Sequence, residues 1–386
     1  MKVTDIKTFA VDCYRTNWVF VKVYTDEGID GVGEATLEYK EHALIGAVEH
    51  IKEYLVGKNP LDVQAHWFHI YRDAYWRGGP VLMSALSAVE CALWDILGKR
   101  LGVPVWQLLG GRVNTEVPVY VNGWFAGAKT PAEFAEKAKA VKARGVSGMK
   151  WDPFGKAYLR LSNKELNTAI ECVGAVREAV GDEMELLIEA HGRFDVPTSL
   201  TIARELAQFK PMWLEEPVPP DNLEALKTVK DRSPVPISAG ERLYTRWDYR
   251  GLFDHNAADF IQPDVSHAGG ISELVKIAAE AESRYIPFAP HNPSGPVANA
   301  ATLHVAAVCP NFCILESMFS DVIWRADVCN EQLTFQDGKL QIPEKPGLGI
   351  EIDEQACLAH PYKPHTLRHY TGSLTDIRPP ETKFYY

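Results

Sequence analysis

The sequence Glu185-Leu186-Leu187-Ile188-Glu189, followed by Trp213-Leu214-Glu215 and then Ala239-Gly240-Glu241, decides the fold. Each of these short runs is mostly apolar and ends on a glutamate. The glutamates are spaced evenly, with 26 residues from 189 to 215 and 26 more to 241. A strand and the helix that follows it occupy about that length, so the spacing predicts a repeating strand–helix unit.

The same pattern extends in both directions from this stretch. Amphipathic segments with clear start signals lie between the apolar runs, for example Thr130-Pro131 and the capping box Ser162/Glu165. The candidate strands cover residues 117–121, 147–151, 185–189, 213–215, 236–238, 260–262, 286–289 and 313–316. Eight such units predict a (β/α)₈-type barrel. An open doubly wound sheet is the alternative, but no Gly-x-Gly-x-x-Gly follows a strand here.

The regions on either side of the barrel have different patterns. Residues 1–112 begin with three β-rich stretches, 3–11, 18–25 and 31–35, and continue with helical periodicity. We therefore predict an α+β domain over 1–112 and the barrel over 113–329. Residues 330–386 are predicted to return over the first domain.

Composition narrows the class of protein. The chain has 386 residues, a net charge of −11 and 46% hydrophobic residues, which indicates a folded protein and disfavours a nucleic-acid partner. The most apolar stretch, 81–97, is interrupted by polar residues, so we expect no membrane span. The N-terminus carries no signal-peptide pattern, and the seven cysteines contain no Cys-x-x-Cys. These features predict a soluble cytoplasmic protein with reduced thiols.

Ionisable residues continue the regular spacing beyond the three glutamates. Asp264, His291 and Glu316 follow at intervals of 23, 27 and 25 residues. Because the C-terminal ends of barrel strands meet at one mouth, we expect all six groups to converge there.

Glu189, Glu215 and Glu241 are the predicted metal ligands. Like charges in a shared pocket disfavour ionisation, and a divalent cation removes this conflict. Oxygen-only ligation favours Mg²⁺, with Mn²⁺ as a possible substitute, and the lack of a His or Cys cluster disfavours zinc. The spacing favours Glu215 over the adjacent Glu216.

Two histidines are acid–base candidates. His291 follows one strand after Asp264, and a carboxylate bonded to one imidazole nitrogen raises the basicity of the other. His191 lies two residues beyond Glu189, so strand alternation predicts that it faces the same side.

Longer motifs extend these observations across the chain. They are Tyr75-Trp76-Arg77-Gly78-Gly79-Pro80, Trp213-Leu214-Glu215-Glu216-Pro217, Ala239-Gly240-Glu241-Arg242, Gln262-Pro263-Asp264 with Ala268-Gly269-Gly270, Ala289-Pro290-His291-Asn292 and Pro346-Gly347-Leu348-Gly349. With these motifs the chain resembles the enolase superfamily, and specifically the acid-sugar dehydratases of its mandelate racemase subgroup. The resemblance implies a (β/α)₇β modified TIM barrel with an N-terminal α+β capping domain.

The resemblance also implies roles for the residues at the mouth. The three glutamates would bind Mg²⁺, His291 with Asp264 would be the base, Glu316 would stabilise the enolate, and His191 would protonate the leaving group. Enolase-superfamily enzymes use a Lys or His base with Mg²⁺ on an ene-diolate. The implied reaction is dehydration of an aldonic acid of the galactonate or gluconate class to a 2-keto-3-deoxy acid.

Two departures from the family pattern are informative. Glu189 stands where the galactonate-dehydratase pattern has Asp. The racemase Lys-x-Lys appears as Lys150-Trp151-Asp152, so the second lysine is missing, which favours one-base elimination over racemisation. Lys150 is predicted to hold the substrate carboxylate, with a salt bridge to a neighbouring barrel acid as its alternative role.

The family's capping loops suggest substrate contacts, and several other functions stay open. The candidate contacts in this chain are Arg15, Asn17, Trp18, Trp76 and Arg77, although Trp76 could equally be domain-interface core. The alternative activities are an epimerase or cycloisomerase on the same enolate, a Schiff-base aldolase using Lys150, and a non-catalytic metal-binding protein. The resemblance further implies a homo-oligomer.

Overall fold

The computed structural model describes residues 1–330 and 333–384. Its N-terminal part pairs an antiparallel sheet, in the order β1-β2-β3, with helices. In chain order the elements are β1 (Val3–Asp12), β2 (Asn17–Thr25), β3 (Asp30–Glu34), α1 (Glu41–Leu55), α2 (Val63–Phe68) with a π-helical turn (His69–Asp73), α3 (Pro80–Leu101) and α4 (Val105–Leu108). The three strands match the predicted stretches to within one residue at each end.

Helix α3 packs between the N-terminal sheet and the barrel. Pro80 occupies its first turn and Gly102 ends it in the left-handed conformation, as helix boundaries commonly do. The helix is long and apolar enough to cross a membrane by length and composition alone, but 78% of its most apolar window is buried inside the protein. At Gly33 on β3 a side chain would collide with the Ala88 carbonyl, so glycine permits this close contact. We conclude that α3 is a core helix.

The second part is a parallel barrel-type sheet with helices outside, which confirms the predicted fold class. Its elements are β4 (Glu116–Asn122), α5 (Pro131–Lys142), β5 (Gly148–Trp151), α6 (Asn163–Val180), β6 (Glu185–Glu189), α7 (Val196–Leu206) with a 3₁₀ turn (Ala207–Phe209), β7 (Trp213–Glu215), α8 (Leu223–Arg232), β8 (Ile237–Ala239), α9 (Arg246–His255), β9 (Phe260–Ile261), α10 (Ile271–Glu282), α11 (Pro296–Val308) and β10 (Leu315–Met318). The predicted capping box at Ser162 is present, and Thr130, where helix α5 begins, forms a capping box as well.

The sheet returns to its first strand. Strands β4 to β9 pair in sequence order, and Phe288 then bridges Ile261 on one side and Phe312 on the other. The last strand, β10, pairs in parallel with β4. Because this order alternates strands with helices and ends on a strand, it agrees with a (β/α)₇β arrangement.

Aromatic side chains fill the barrel beneath its mouth. The rings of Tyr120 and Trp213 meet edge to face with centroids 5.7 Å apart, and both residues are buried. Trp213 precedes Glu215 by two residues on β7, so both side chains face the same side of the strand. Its indole Nε1 donates to Glu215 Oε2 at 2.9 Å. The floor of the mouth is therefore a packed core and not an open channel.

The C-terminal segment leaves the barrel and crosses back over it. Its elements are α12 (Arg325–Val328), β11 (Phe335–Gln336), β12 (Lys339–Gln341), α13 (Glu354–Ala359) and a 3₁₀ turn (Leu374–Asp376). Pro361 forms a bridge with Val11 of β1, and Gly127, in the loop after β4, donates its N–H to Thr375 O at 2.7 Å. The boundaries at 112 and 329 stay predictions, and residues 331–332 and 385–386 of the predicted third segment lie outside the described residues.

Candidate active site

A cavity opens at the C-terminal ends of the barrel strands. Three parts of the chain line it: the barrel mouth, the loop after β1 with the stretch that precedes α1, and the C-terminal segment. From the barrel the lining includes Asn122, Lys150, Asp152, Glu189, His191, Glu241 and His291. The structure thus brings most of the predicted ionisable residues to one place.

Three carboxylates form the predicted metal centre. Glu189 and Glu215 end β6 and β7, and Glu241 follows β8 after Gly240, whose φ of +132° turns the chain. One oxygen from each carboxylate lies within 4.8 Å of the others. The adjacent Glu216 forms a salt bridge with Arg242 instead, which agrees with the preference for Glu215.

Lys150 lies among these acids at the wall of the cavity, with only 3% of its side chain exposed. Its Nζ is 2.7 Å from Glu215 Oε1, 3.0 Å from Glu316 Oε1 and 3.6 Å from Glu189 Oε2. Although burial opposes it, the surrounding carboxylates hold the pKa of Lys150 well above its usual value. An ammonium held in this way is a poor nucleophile, which argues against Schiff-base chemistry at Lys150.

The carboxylates carry more charge than Lys150 can neutralise. Burial and the neighbouring Glu215 raise the pKa of Glu189 well above its usual value. Glu215 is buried too, but the Lys150 ammonium keeps its pKa low. Close acids in a dry pocket with an all-oxygen donor set fit a hard divalent cation, and Mg²⁺ or Mn²⁺ meets this requirement.

His291 and Asp264 form one hydrogen-bonded pair at the mouth. His291 Nδ1 is 2.7 Å from Asp264 Oδ2, and Asp264 is fixed by the Ser266 N–H at 2.7 Å. The other nitrogen, Nε2, lies 3.1 Å from Glu241 Oε2. Burial lowers the pKa of His291, but the charge of Glu241 and the bond to Asp264 outweigh it and raise the pKa to about 10.

His191 has a carboxylate partner that sequence reasoning missed. Its Nδ1 is 2.6 Å from Asp152 Oδ2. The buried Arg193 holds both oxygens of Asp152, at 2.7 and 2.6 Å. Asp152 follows Lys150 by two residues, directly after the end of β5, so strand alternation places both side chains on one face, and that spacing was the available signal. The cavity therefore contains two histidine–aspartate pairs on different strands.

Glu316 contributes a carboxylate from β10. Its Oε1 accepts from Asn122 Nδ2 at 2.9 Å as well as from Lys150, and its Oε2 accepts from the Asn292 N–H at 3.2 Å. The side chain is fully buried. A carboxyl group held by donors on both oxygens keeps one orientation toward the cavity.

The structure separates the predicted substrate contacts. Arg15, in the turn between β1 and β2, lines the cavity and donates to Glu38 Oε1 at 2.7 Å. Asn17 and Trp18 stay predictions as substrate contacts; β2 begins at Asn17, and both side chains are buried with no exposed surface. Asn17 Nδ2 instead binds Glu41 and the Lys363 carbonyl.

Trp76 and Arg77 also stay predictions as substrate contacts. They line a separate apolar groove on the N-terminal part, together with residues of α1 and α3, and Trp76 is 78% exposed. This exposure also excludes Trp76 from the domain-interface core within this chain. Neither residue is among those that line the cavity at the barrel mouth.

The C-terminal segment supplies lining residues that the sequence did not reveal. Arg368, His369, Leu374 and Ile377 all face the cavity. The His369 ring meets the His191 ring edge to face, with centroids 4.5 Å apart. No periodic pattern or spacing in the sequence connects these residues to the barrel.

Family comparisons match both parts of the chain. Residues 6–110 match the N-terminal domain of mandelate racemase / muconate lactonizing enzyme, and residues 133–356 match the enolase C-terminal domain-like family. D-galactonate dehydratase from Ralstonia pickettii (strain 12J) is 35% identical over 97% of this chain and 100% of that protein. D-galactonate dehydratase from Pectobacterium atrosepticum is 37% identical over 93% of this chain and 94% of that protein.

Solved structures agree with these matches. A member of the enolase superfamily from Salmonella Typhimurium superposes with a TM-score of 0.89 at 30% identity, over 93% of this chain and 98% of that one. A mandelate racemase/muconate lactonizing enzyme-like protein from Roseovarius sp. TM1035 gives 0.88 at 31% identity, over 95% and 97%. The two domain matches, the similar relatives and the carboxylates at the barrel mouth show that the chain belongs to the enolase superfamily, in the mandelate racemase subgroup.

Proposed function

We propose that the protein is a hydro-lyase that dehydrates an aldonic acid of the galactonate or gluconate class to a 2-keto-3-deoxy acid. The observation that carries this proposal is the pair of carboxylate-bound histidines, His291–Asp264 and His191–Asp152, beside three metal-ligand carboxylates. Elimination needs one group to take a proton and another to give one. The relatives named D-galactonate dehydratase support the same reaction class.

Glu189, Glu215 and Glu241 would hold Mg²⁺. When bound, the cation supplies Lewis-acid stabilisation of the negative charge that develops on the substrate carboxylate. The Lys150 ammonium lies close to two of these ligands, so it favours a substrate carboxylate placed nearby. Lys150 thus helps to position the carbon next to that carboxylate.

His291 is the proposed base. With its Nε2 neutral, as it would be when the charge of Glu241 is directed to a bound cation, His291 takes the proton from C2, the carbon next to the carboxylate, and Asp264 at Nδ1 stabilises the imidazolium that forms. The electron pair of the C2–H bond moves toward the carboxylate to give an enediolate. Glu316 holds the Lys150 ammonium at 3.0 Å, and this pair would stabilise the negative charge of the enediolate where it develops.

His191 is the proposed acid. It gives a proton to the hydroxyl on C3, so that the C3–O bond breaks and water leaves while the electron pair forms the C2–C3 double bond. Asp152 fixes the tautomer of the His191 ring by accepting from Nδ1. The enol product then tautomerises to the 2-keto-3-deoxy acid.

The His191–Asp152 pair also favours a second candidate, an epimerase that works through the same enediolate. A carboxylate-bound imidazole can return a proton to C2 as well as protonate a hydroxyl. This activity would incorporate solvent deuterium at C2 with inversion and without loss of water. A search for product in D₂O distinguishes the two candidates.

Cellular context and assembly are part of the proposal. Six of the seven cysteines are buried, which supports a reducing compartment such as the cytoplasm. Tyr75 and Trp76 are 79% and 78% exposed beside an apolar groove, which supports a homo-oligomer that covers them.

The test is a panel of acid sugars assayed for 2-keto-3-deoxy product with semicarbazide, in Mg²⁺ and in EDTA. His291→Asn should abolish both C2 proton exchange and dehydration, since the base is gone. Metal-replete His191→Asn should still exchange the C2 proton while dehydration falls. Turnover of no acid sugar refutes the proposed reaction, and dehydration by His191→Asn at the parent rate refutes the assigned acid.

A further inference from the structure

The C-terminal segment forms one wall of the cavity although it lies far along the chain from the barrel. Arg368 and His369 line the cavity beside His191. In the sequence, His369 is 178 residues away from His191. The segment is attached on both sides of this point. Asn17 exchanges hydrogen bonds with Lys363 at 2.8 and 2.9 Å, and Thr375 O accepts from the Gly127 N–H at 2.7 Å. His369 is thus held at the mouth from two directions.

Arg193 connects this wall to the His191–Asp152 pair. It has no exposed surface. Its Nε donates to Ala190 O at 3.1 Å and its NH1 to Gly155 O at 2.9 Å. The same NH1 donates to His369 O at 3.1 Å, and NH2 donates to both oxygens of Asp152. One rigid guanidinium therefore holds the carboxylate that orients His191 and the backbone that carries His369.

The two histidine rings are in contact. Their edge-to-face angle is 77° at a centroid distance of 4.5 Å. Burial, followed by the charge of His191, lowers the pKa of His369 to about 4, so the His369 ring is neutral at physiological pH. A neutral ring can pack against a protonated imidazole without charge repulsion. His369 Nδ1 is buried and has no hydrogen-bond partner among the described residues, so packing is the main interaction we assign to this ring.

The backbone at His191 makes such support necessary. His191 has a φ of +49°, a left-handed conformation that costs free energy in a residue other than glycine. Its N–H donates to Glu189 Oε1 at 2.5 Å, which fixes the backbone but not the ring. The ring is restrained by Asp152 at one nitrogen and by its contact with the His369 ring.

We propose that His369 is a positioning residue for His191, and that the C-terminal segment must be seated for the elimination step but not for proton abstraction at C2. This inference rests on the proposed function, in which His191 protonates the leaving hydroxyl. His291 has no contact with the segment in the hydrogen-bond network described above. Loosening the segment should therefore separate the two half-reactions.

The experiment compares three substitutions in the full-length protein. His369→Ala removes the ring, His369→Phe keeps an aromatic ring in the same place, and Leu367→Ala is the control on an exposed residue of the same segment. For each variant with Mg²⁺, the rates of dehydration and of C2 deuterium incorporation into recovered substrate are measured. We expect His369→Ala to lower dehydration at least tenfold while exchange changes less than twofold, and His369→Phe to recover most of the dehydration. Leu367→Ala should match the parent.

A second readout needs no turnover. The ring proton between His191 Nδ1 and Asp152 should give a downfield ¹H NMR signal, identified by its loss in Asp152→Asn. We expect this signal to broaden or exchange faster in His369→Ala and to stay unchanged in Leu367→Ala. If the parent dehydrates no acid sugar, the proposed function fails and the NMR result alone decides the positioning role.

The proposal is overturned by either of two results. In the first, His369→Ala keeps the parent NMR signal and the parent ratio of exchange to dehydration. In the second, dehydration and exchange fall together while the signal is intact, as expected for a purely structural contact. If His369→Ala does not fold, the comparison of His369→Phe with Leu367→Ala tests the proposal. A loss of dehydration in His369→Phe while the downfield NMR signal is intact would contradict ring packing as the mechanism.

Discussion

Replacing Lys150 by methionine tests whether the carboxylates at the barrel mouth depend on a nearby positive charge. At an effective dielectric constant of about 20, the contacts of Nζ at 2.7 and 3.0 Å each correspond to about 6 kcal/mol of Coulomb attraction. The cost of taking these charges out of water offsets much of this attraction, and removal of one partner of a buried pair costs about 3–5 kcal/mol. We expect Lys150→Met to lower the free energy of unfolding by that amount in EDTA.

The matched control is Lys339→Met. Lys339 pairs with Glu116 at the surface, with both side chains more than 40% exposed, so we expect a loss of about 0–1 kcal/mol. Urea unfolding of both variants and the parent, in EDTA and in Mg²⁺, measures the difference.

Magnesium should act more strongly on Lys150→Met than on the parent. The variant lacks a positive charge beside the ligands, so its affinity for a cation rises. Mg²⁺ at about 100 times its dissociation constant stabilises a folded protein by about 2.7 kcal/mol. If Lys150→Met is destabilised no more than Lys339→Met in EDTA, or if Mg²⁺ stabilises it less than the parent, the charge balance argued here is wrong.

Three further predictions follow from buried charged groups. Asp152→Asn should slow dehydration by about 100-fold or more, because His191 loses the acceptor that fixes its tautomer, while C2 exchange persists in the deuterium assay. Burial raises the pKa of Glu90 to about 6, so between about pH 4.5 and 6 the folded state binds more protons than the unfolded chain. The contribution of Glu90 to the free energy of unfolding therefore falls as pH rises through that window. Urea unfolding at pH 5 and pH 7 should show a fall with pH that is smaller in Glu90→Gln by about 1 kcal/mol, and an equal fall in both proteins would contradict the shift. Arg378 is buried, and its three guanidinium nitrogens have no hydrogen-bond partner among the described residues. Arg378→Met should therefore leave the free energy of unfolding unchanged or raise it by about 1–2 kcal/mol. A large loss would point to a bound anion or water.

The barrel could be predicted because its signals are local and repeat. The capping boxes at Thr130 and Ser162 depend on residues three positions apart, and both formed. The seventh strand shows the limit of this reasoning. Phe288 lies between Pro287 and Pro290, which lack N–H donors, so the predicted strand 286–289 reduces to bridges at one residue.

The metal carboxylates could be found in the sequence because each barrel unit has nearly the same length. The residues that line the cavity from outside the barrel could not be found in this way. Arg15 and Asn17 are two positions apart in the sequence. Arg15 lies in the turn before β2 and lines the cavity, whereas Asn17 is the first residue of β2 and does not line it, so the start of the strand decides which side chain lines the cavity. His369 is held at the cavity by the Arg193 side chain, which donates to its backbone carbonyl. These two residues are far apart in the sequence, and no motif or spacing links them.

Asp152 changes how the missing second lysine is interpreted. From sequence, the loss of that lysine leaves one face of the substrate without a base. In the structure, the residue at that position holds His191, so the face has an oriented imidazole in place of an amine. Elimination or epimerisation then depends on what His191 meets: a C3 hydroxyl leads to loss of water, and C2 leads to inversion. Because the C-terminal wall sets the position of the His191 ring, the same wall would select between these two outcomes.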